Sequence, residues 1–244
     1  MRGWELRPAK VLDEVENRHG VAKISPRYGE THGASTASAG YLRRLMDFLA
    51  LDFETATTAA DSPCELGIAI VRGGVVREVR NWLIKPPQWP HFSPWNVAVH
   101  GIRPDDVAGA PRWEEIWEEV HALLLGATVV AHNAAFDMGV LRATLASHAL
   151  PHPSFRYFCS VSMARRVWPG HPTYNLKALC DRHGIPLKHH RAGNDAEATA
   201  EVVLRALHDG DTLDTFVRRS RISLGAFYPG GHRTPGGKVV LAAR

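Results

Sequence analysis

Cysteine is scarce in this 244-residue chain: Cys64, Cys159 and Cys180 stand far apart and form no CxxC pair. That spacing excludes a thiolate zinc site and a disulfide framework, and leaves the three as small core-filling side chains. No apolar run approaches the ~20 residues needed to cross a bilayer, so no membrane attachment is expected. Residues 1–20 scatter Arg7, Lys10, Asp13, Glu14 and Glu16 among their apolar positions, which excludes a signal-peptide core and makes a cytoplasmic location the expectation. Glutamine is nearly missing, with Gln88 its one occurrence, and no internal repeat is visible.

Neither sign of charge dominates. The net charge of +4 comes from 29 Lys/Arg against 25 Asp/Glu. It is unevenly placed: residues 1–45 carry 8 basic and 5 acidic side chains, 46–208 carry 15 and 17, and 209–244 carry 6 and 3. Basic flanks of this size suit a phosphate backbone but are equally a solvated surface, so charge alone does not establish a nucleic-acid partner. Hydrophobic content of 45% and charged content of 22% fit a globular protein with one sizeable core.

The pattern divides the chain into an N-terminal extension over 1–45, a central domain over 46–208 and a basic, Gly/Pro-containing tail over 209–244 that loses its periodicity. Residues 29–40 read as a linker and 41–47 as a short helical turn. Phe48–Thr55 (FLALDFET) predicts a strand that is apolar until its end. Leu66–Val71 and Val75–Ile84 flank a Gly73-Gly74 turn and predict a hairpin. Pro86, Pro87 and Pro90 open a long loop. Helices are predicted over Arg112–Leu125, Ala134–His148, 161–167, Leu176–His183 and Gly193–His208, with Asn133 and Asn194 as caps. Ala127–Ala131 and Phe155–Ser160 predict further strands. This order predicts an α/β fold, a mixed sheet with helices on its faces.

Three short groups carry chemistry. Asp52 and Glu54 stand at i and i+2 of the first strand and therefore share a face at its C-terminal end. Two carboxylates so placed repel one another unless a cation lies between them, although Asp-x-Glu is also common in exposed turns. In His132-Asn133-Ala134-Ala135-Phe136-Asp137, Asp137 falls in the first turn of a helix just after a buried strand; a charge complementing the helix dipole is the plain alternative. In His190-Arg191-Ala192-Gly193-Asn194-Asp195, Asp195 opens the last long helix, and a surface loop explains the segment equally well when it is taken alone.

Together, DFET at 52–55, HNAAFD at 132–137 and HRAGND at 190–195 resemble, in order and approximate spacing, the three motifs of the DEDDh (DnaQ-like) exonucleases, the family of the epsilon proofreading subunit. VHGIRPDDVAGAP at 99–111 and YNLKALCDRHGIPL at 174–187 resemble that family's intervening segments, so the likeness covers about 46–208. It implies a ribonuclease H-like fold and a 3′→5′ exonuclease releasing nucleoside monophosphates from single-stranded ends with two Mg²⁺ or Mn²⁺ ions. It further implies that Asp52, Glu54 and Asp195 hold one ion, that Asp52 bridges to a second, and that Asp137 supports the second through a water. His190 would be the general base; His189, lacking the x4 spacing to Asp195, is read as surface. Phe53 and Thr55 would contact the 3′ terminus, His100, Gly101 and Ile102 would line the sugar and base pocket, and Asn133 and Phe136 would support its floor. Phe136 is read as core in preference to ligand contact, and His100 as a functional loop residue. Trp113 and Trp117, four apart, are read as core, and Trp89 and Trp95 as candidates for base stacking. One departure is Ala56-Thr57, where relatives carry Thr-Gly.

The His-Gly-Ile loop favours single-stranded DNA 3′ ends over RNA as the partner; an exoribonuclease is the alternative. A polymerase accessory is the other, through residues 209–244. The epsilon subunit touches the sliding clamp through a glutamine-containing peptide, and this tail has no glutamine.

Overall fold

The computed structural model describes residues 46–188 and 190–241; expectations for 1–45, including the linker and most of the 41–47 turn, and for His189 lie outside the described residues. Among the described residues eight strands form one mixed sheet: β1 (Phe48–Thr55), β2 (Pro63–Arg72), β3 (Val75–Leu83), β4 (Thr128–Ala131), β5 (Phe155–Cys159), β6 (Gly225–Tyr228), β7 (Gly231–Arg233) and β8 (Val239–Leu241), in the order β3-β2-β1-β4-β5-β6-β7-β8. β1 runs antiparallel to β2 and parallel to β4, β4 parallel to β5, and the remaining pairs are antiparallel. The β2–β3 hairpin turns on Gly73 and Gly74 at φ of 61° and 72°, values that glycine adopts without a Cβ penalty.

The helices are α1 (Pro94–His100), α2 (Trp113–Leu124), α3 (Ala135–Ser147), α4 (Ser160–Val167), α5 (Leu176–His183), α6 (Ala192–Arg205) and α7 (Leu213–Arg219), with a 3₁₀ turn over Pro104–Val107. Because β1 is covered on both faces, its side chains divide between two cores. Leu49, Leu51 and Phe53 join Trp113, Trp117, Met138 and Leu141 of α2 and α3, whereas Phe48 and Ala50 join Leu179, Ala196, Val203 and Phe216 of α5, α6 and α7. By the same alternation Asp52 and Glu54 fall on the α6 side. α6 lies close to the sheet because its inner face is small: Ala192, Gly193, Ala196 and Ala200 are buried. Gly67 of β2 makes the approach possible, since a Cβ there would stand 2.1 Å from the Ala192 carbonyl. No helix among the described residues is long and apolar enough to cross a membrane.

Several expectations are corrected. The Pro-rich loop contains α1, started by Pro94 in its first turn, where proline's missing N–H costs nothing. Asn133 does not cap α3: Ala134 takes that place and Asn133 is left-handed at φ 69°. Asn194 lies inside the first turn of α6, its side chain donating to the Lys188 carbonyl at 3.1 Å. The segment after His208 is patterned after all. Thr212 and Thr215 cap α7 reciprocally, and β6 extends the sheet from β5, with Phe227 stacked on Phe155 at 4.9 Å. The Gly/Pro runs are the turns between β6, β7 and β8.

Candidate active site

The parallel strands β1 and β4 end at the same edge of the sheet, where loops open the space in which α/β proteins bind ligands. Acids from both helical layers converge there. Asp52 and Glu54 are half-buried on β1 and the side chain between them, Phe53, turns into the opposite core against Trp113 at 5.9 Å. Asp137, in the first turn of α3, is 1% exposed; its Oδ1 accepts the Phe53 N–H at 3.1 Å, and its Oδ2 is buried without a hydrogen-bond partner. Asp195, in the first turn of α6, is buried and its Oδ2 accepts the His190 N–H at 3.1 Å. Ligating atoms of Glu54, His190 and Asp195 all lie within 4.8 Å of one another. His190 is left-handed at φ 66°, a conformation that costs a non-glycine residue about 1–2 kcal/mol.

Burial, with crowding by neighbouring charges at the two β1 acids, holds protons on three of the acids. Burial, then the charges of Asp137, Asp195 and Glu54, raise Asp52 well above the usual carboxylate range. Burial, then Asp195, Glu65 and Asp137, push Glu54 up to about 8. Burial pushes Asp137 up to about 8 against the backbone N–H groups that draw it down. A buried carboxylate oxygen without a partner, facing further carboxylates and one imidazole, is a donor set suited to hard divalent cations such as Mg²⁺ or Mn²⁺. The residues present fit such a group.

Around this centre the expected pocket residues are more tied into the protein than their motifs suggest. The Phe53 N–H is already given to Asp137, and the Thr55 carbonyl accepts from Asn96 Nδ2 at 2.9 Å and His100 Nε2 at 3.1 Å. His100 is a buried helix-terminal residue rather than a loop residue. Its Nδ1 accepts the Ile102 N–H at 3.0 Å, which leaves Nε2 as donor, and burial lowers its pKa. Gly101 closes α1 at φ 76°, and Ile102 packs with Ala56, Cys64 and Val107. His100, Gly101 and Ile102, with Leu83, Asp106 and Arg191, line a hollow of about 430 Å³. Phe136 corrects the core reading: it is 46% exposed, beside the exposed Asn133, whose carbonyl accepts its N–H at 2.9 Å. Trp95 is 81% exposed, whereas Trp89 donates to the Pro104 carbonyl and lies under Lys85 Nζ.

The sequence reading passed over Glu65. It sits in β2 directly across from Glu54, is fully buried, and receives Arg191, Asn81 and the Ala192 N–H. The signal was there: Glu65 is the one charged residue between Ser62 and Val71.

Comparison with known proteins agrees with this geometry. The family model described as Exonuclease matches residues 49–203. The DNA polymerase III PolC-type of Streptococcus thermophilus is 31% identical over 139 residues, 57% of this chain and 9% of that protein. Its counterpart in Halalkalibacterium halodurans is 30% identical over 171 residues, 69% of this chain and 12% of that protein. The chain thus spans about a tenth of the curated relatives it matches. Among solved structures, exonuclease X in complex with 5′ overhanging duplex DNA is 26% identical with a TM-score of 0.56, covering 71% of this chain and 99% of that one. A full-length 3′-exonuclease at 13% identity, TM-score 0.62, covers 82% and 92% and shares the fold. With its family model matched over more than half of its length, and with this ribonuclease H-like sheet, the chain belongs to the exonuclease family and, within it, to the DnaQ-like DEDDh 3′→5′ exonucleases.

Proposed function

We propose that this protein removes nucleotides one at a time from the 3′ end of single-stranded DNA, releasing nucleoside 5′-monophosphates. One observation carries the reading: carboxylates from three distant segments, Asp52 and Glu54, Asp137, and Asp195, converge with His190 at one end of β1. Asp52, Glu54 and Asp195 would hold one divalent ion, with Asp52 shared with a second that Asp137 supports. When bound, two such ions supply Lewis-acid stabilisation of the attacking and leaving oxygens of an in-line displacement.

The chain's own residues do the rest. His190 takes a proton from the attacking water through its imidazole while its backbone N–H stays on Asp195. Water adds to the phosphorus of the last phosphodiester, the P–O3′ bond breaks, and the departing O3′ takes a proton from solvent, so that the shortened strand leaves with a 3′-hydroxyl. His100, donating to the Thr55 carbonyl, keeps the wall formed by Gly101 and Ile102 against the end of β1, where the terminal sugar and base would lie. The exposed Phe136 and Asn133 frame the opposite side, and Phe53 supports the floor through Asp137. DNA is favoured because the 26%-identical exonuclease X was solved with DNA.

The test gives purified protein, with Mg²⁺ or Mn²⁺, matched 5′-labelled single-stranded DNA, duplex DNA and RNA beside an Asp52→Ala control. A ladder receding from the 3′ end of single-stranded DNA supports the proposal. Equal or better trimming of RNA replaces the substrate, and a ladder that survives Asp52→Ala ends it. A second reading, attachment to a replicative polymerase, is favoured by the PolC-type relatives. Failure to co-purify with the polymerase of the same cell would remove it.

A further inference from the structure

Glu65 is held by one short segment, 191–192, and by Asn81 of β3. Its Oε1 accepts from Arg191 Nη2 at 2.7 Å, Arg191 Nε at 3.0 Å and Asn81 Nδ2 at 2.8 Å; its Oε2 accepts from the Ala192 N–H at 2.9 Å and from Arg191 Nε at 3.2 Å. Asn81 in turn accepts the Gly193 N–H at 2.9 Å. The first N–H groups of α6, which no local side chain caps, are therefore closed by side chains from two neighbouring strands. The chain of contacts runs on to the chemistry: the Asp195 N–H donates to the Arg191 carbonyl at 3.0 Å, and the His190 N–H donates to Asp195.

We infer that Glu65, acting through Arg191 and Ala192, is a positioning residue that fixes the segment carrying His190 and Asp195 for the reaction. The inference rests on His190 moving the proton as proposed above. Three features distinguish it from a plain buried ion pair, which is by itself weak evidence for stability. First, Glu65 stands in register with Glu54, yet its oxygens face the 191–193 backbone and guanidinium, so it acts on the site without being offered to a cation. Second, the clamp begins at the residue after His190, which is held left-handed. A segment free to relax would give up that conformation first. Third, the space is built for the contact: a Cβ on Gly67 would meet Ala192 and Gly193, and one on Gly193 would meet Asn81 Oδ1 at 2.9 Å. Glutamine at 65 would keep the shape but turn an amide N–H₂ toward a cluster of donors, and would surrender the bidentate fork of Arg191.

The experiment is a double-mutant cycle in the full chain. Glu65→Gln, Arg191→Gln, His190→Ala and the two doubles with His190→Ala are compared for single-turnover rate and KM on labelled single-stranded DNA, with melting curves and amide hydrogen exchange over 188–196. Glu65→Gln and Arg191→Gln are expected to slow the chemical step about 10–100-fold, the scale of a small misplacement of a reacting group, and in Glu65→Gln, whose side chain is fully buried, KM should stay within about 2-fold of the parent. His190→Ala should then cost far less in either background than alone, because the imidazole has already lost its place. Additive effects overturn the inference, since a purely structural loss would not depend on His190. If Glu65→Gln fails to melt cooperatively, Arg191→Gln, whose side chain is 50% exposed, carries the test alone, and a parental rate in that variant overturns the inference. Exchange over 188–196 should accelerate at least about 10-fold in Arg191→Gln; unchanged protection overturns the clamp whether or not the enzyme is active. A parent chain that cleaves no nucleic acid condemns the exonuclease reading separately.

Discussion

The backbone N–H of Phe53 donates to Oδ1 of Asp137, 84 residues away, at 3.1 Å. The peptide that separates the two acids of β1 is thus the one that orients the third, so the first two motifs are joined by a main-chain contact that no substitution at 53 except proline removes. The relationship also turns Asp137 Oδ2 away from any protein donor.

Removing Asp52 should abolish activity while sparing the fold. Asp52→Ala is expected to lower kcat at least about a thousandfold, as for groups that act in the transition state. Because the carboxyl sits among like charges, the metal-free variant should melt no lower than the parent at pH 8. A variant retaining a tenth of the parental rate would remove Asp52 from the chemistry.

The acid cluster makes the metal-free protein pH-sensitive. Asp137 has its folded pKa at about 8 against an ordinary 3.8, so the folded state holds this proton more tightly than the unfolded chain. The stability this proton supplies is therefore full below the ordinary value and is lost as pH rises from there through about 8. Asp137→Asn, which keeps the acceptor for Phe53, should raise the Tm in EDTA at pH 8 and leave it unchanged near pH 4. A gain of equal size at both values would contradict the assignment. Divalent-ion affinity of the parent should climb over the same interval, because ligands must deprotonate.

Close approach of α6 to β2 predicts a sensitive glycine. Gly67→Ala places a methyl 2.1 Å from the Ala192 carbonyl, and neither backbone can yield cheaply. Overpacking of this kind costs roughly 1–3 kcal/mol, and the displaced Asp195 should cost activity beyond the loss of stability. A Gly67→Ala protein with parental melting and rate would show that the helix stands further off.

Trp95 predicts the opposite: no core role. With Trp95 81% exposed, Trp95→Ala should leave the melting temperature alone. If the ring stacks on a base of the bound strand, KM should rise by the factor that about 1–3 kcal/mol implies, with metal affinity unchanged. An unaltered KM would leave Trp95 without a part in binding.

Much of the fold was legible before the structure, and unevenly. β1 ends at Thr55 and α5 spans Leu176–His183 as the sequence predicts, because an apolar run closed by acids and a helix stopped by Gly184 and Pro186 are local signals. α1 was hidden by Pro86, Pro87 and Pro90, which break the pattern before Pro94 restarts it. β6, β7 and β8 are three or four residues each, too short for a period of two to show. The acids were readable as motifs, but their meeting was not: the apolar neighbours of Glu65 mark it as buried, yet nothing local names its partner Arg191, 126 residues away.

The strands after α7 have a practical consequence for anyone shortening this protein. Phe227 backs Phe155, and β6 supplies the hydrogen bonds along one side of β5. Cutting the chain at His208 would strip that side bare and leave β5 as an unguarded, aromatic-rich border, an invitation to self-association. A truncated protein that loses a polymerase would be misread as having lost a docking arm when it has only become sticky; exchanging exposed side chains of 209–241 one by one is the cleaner probe.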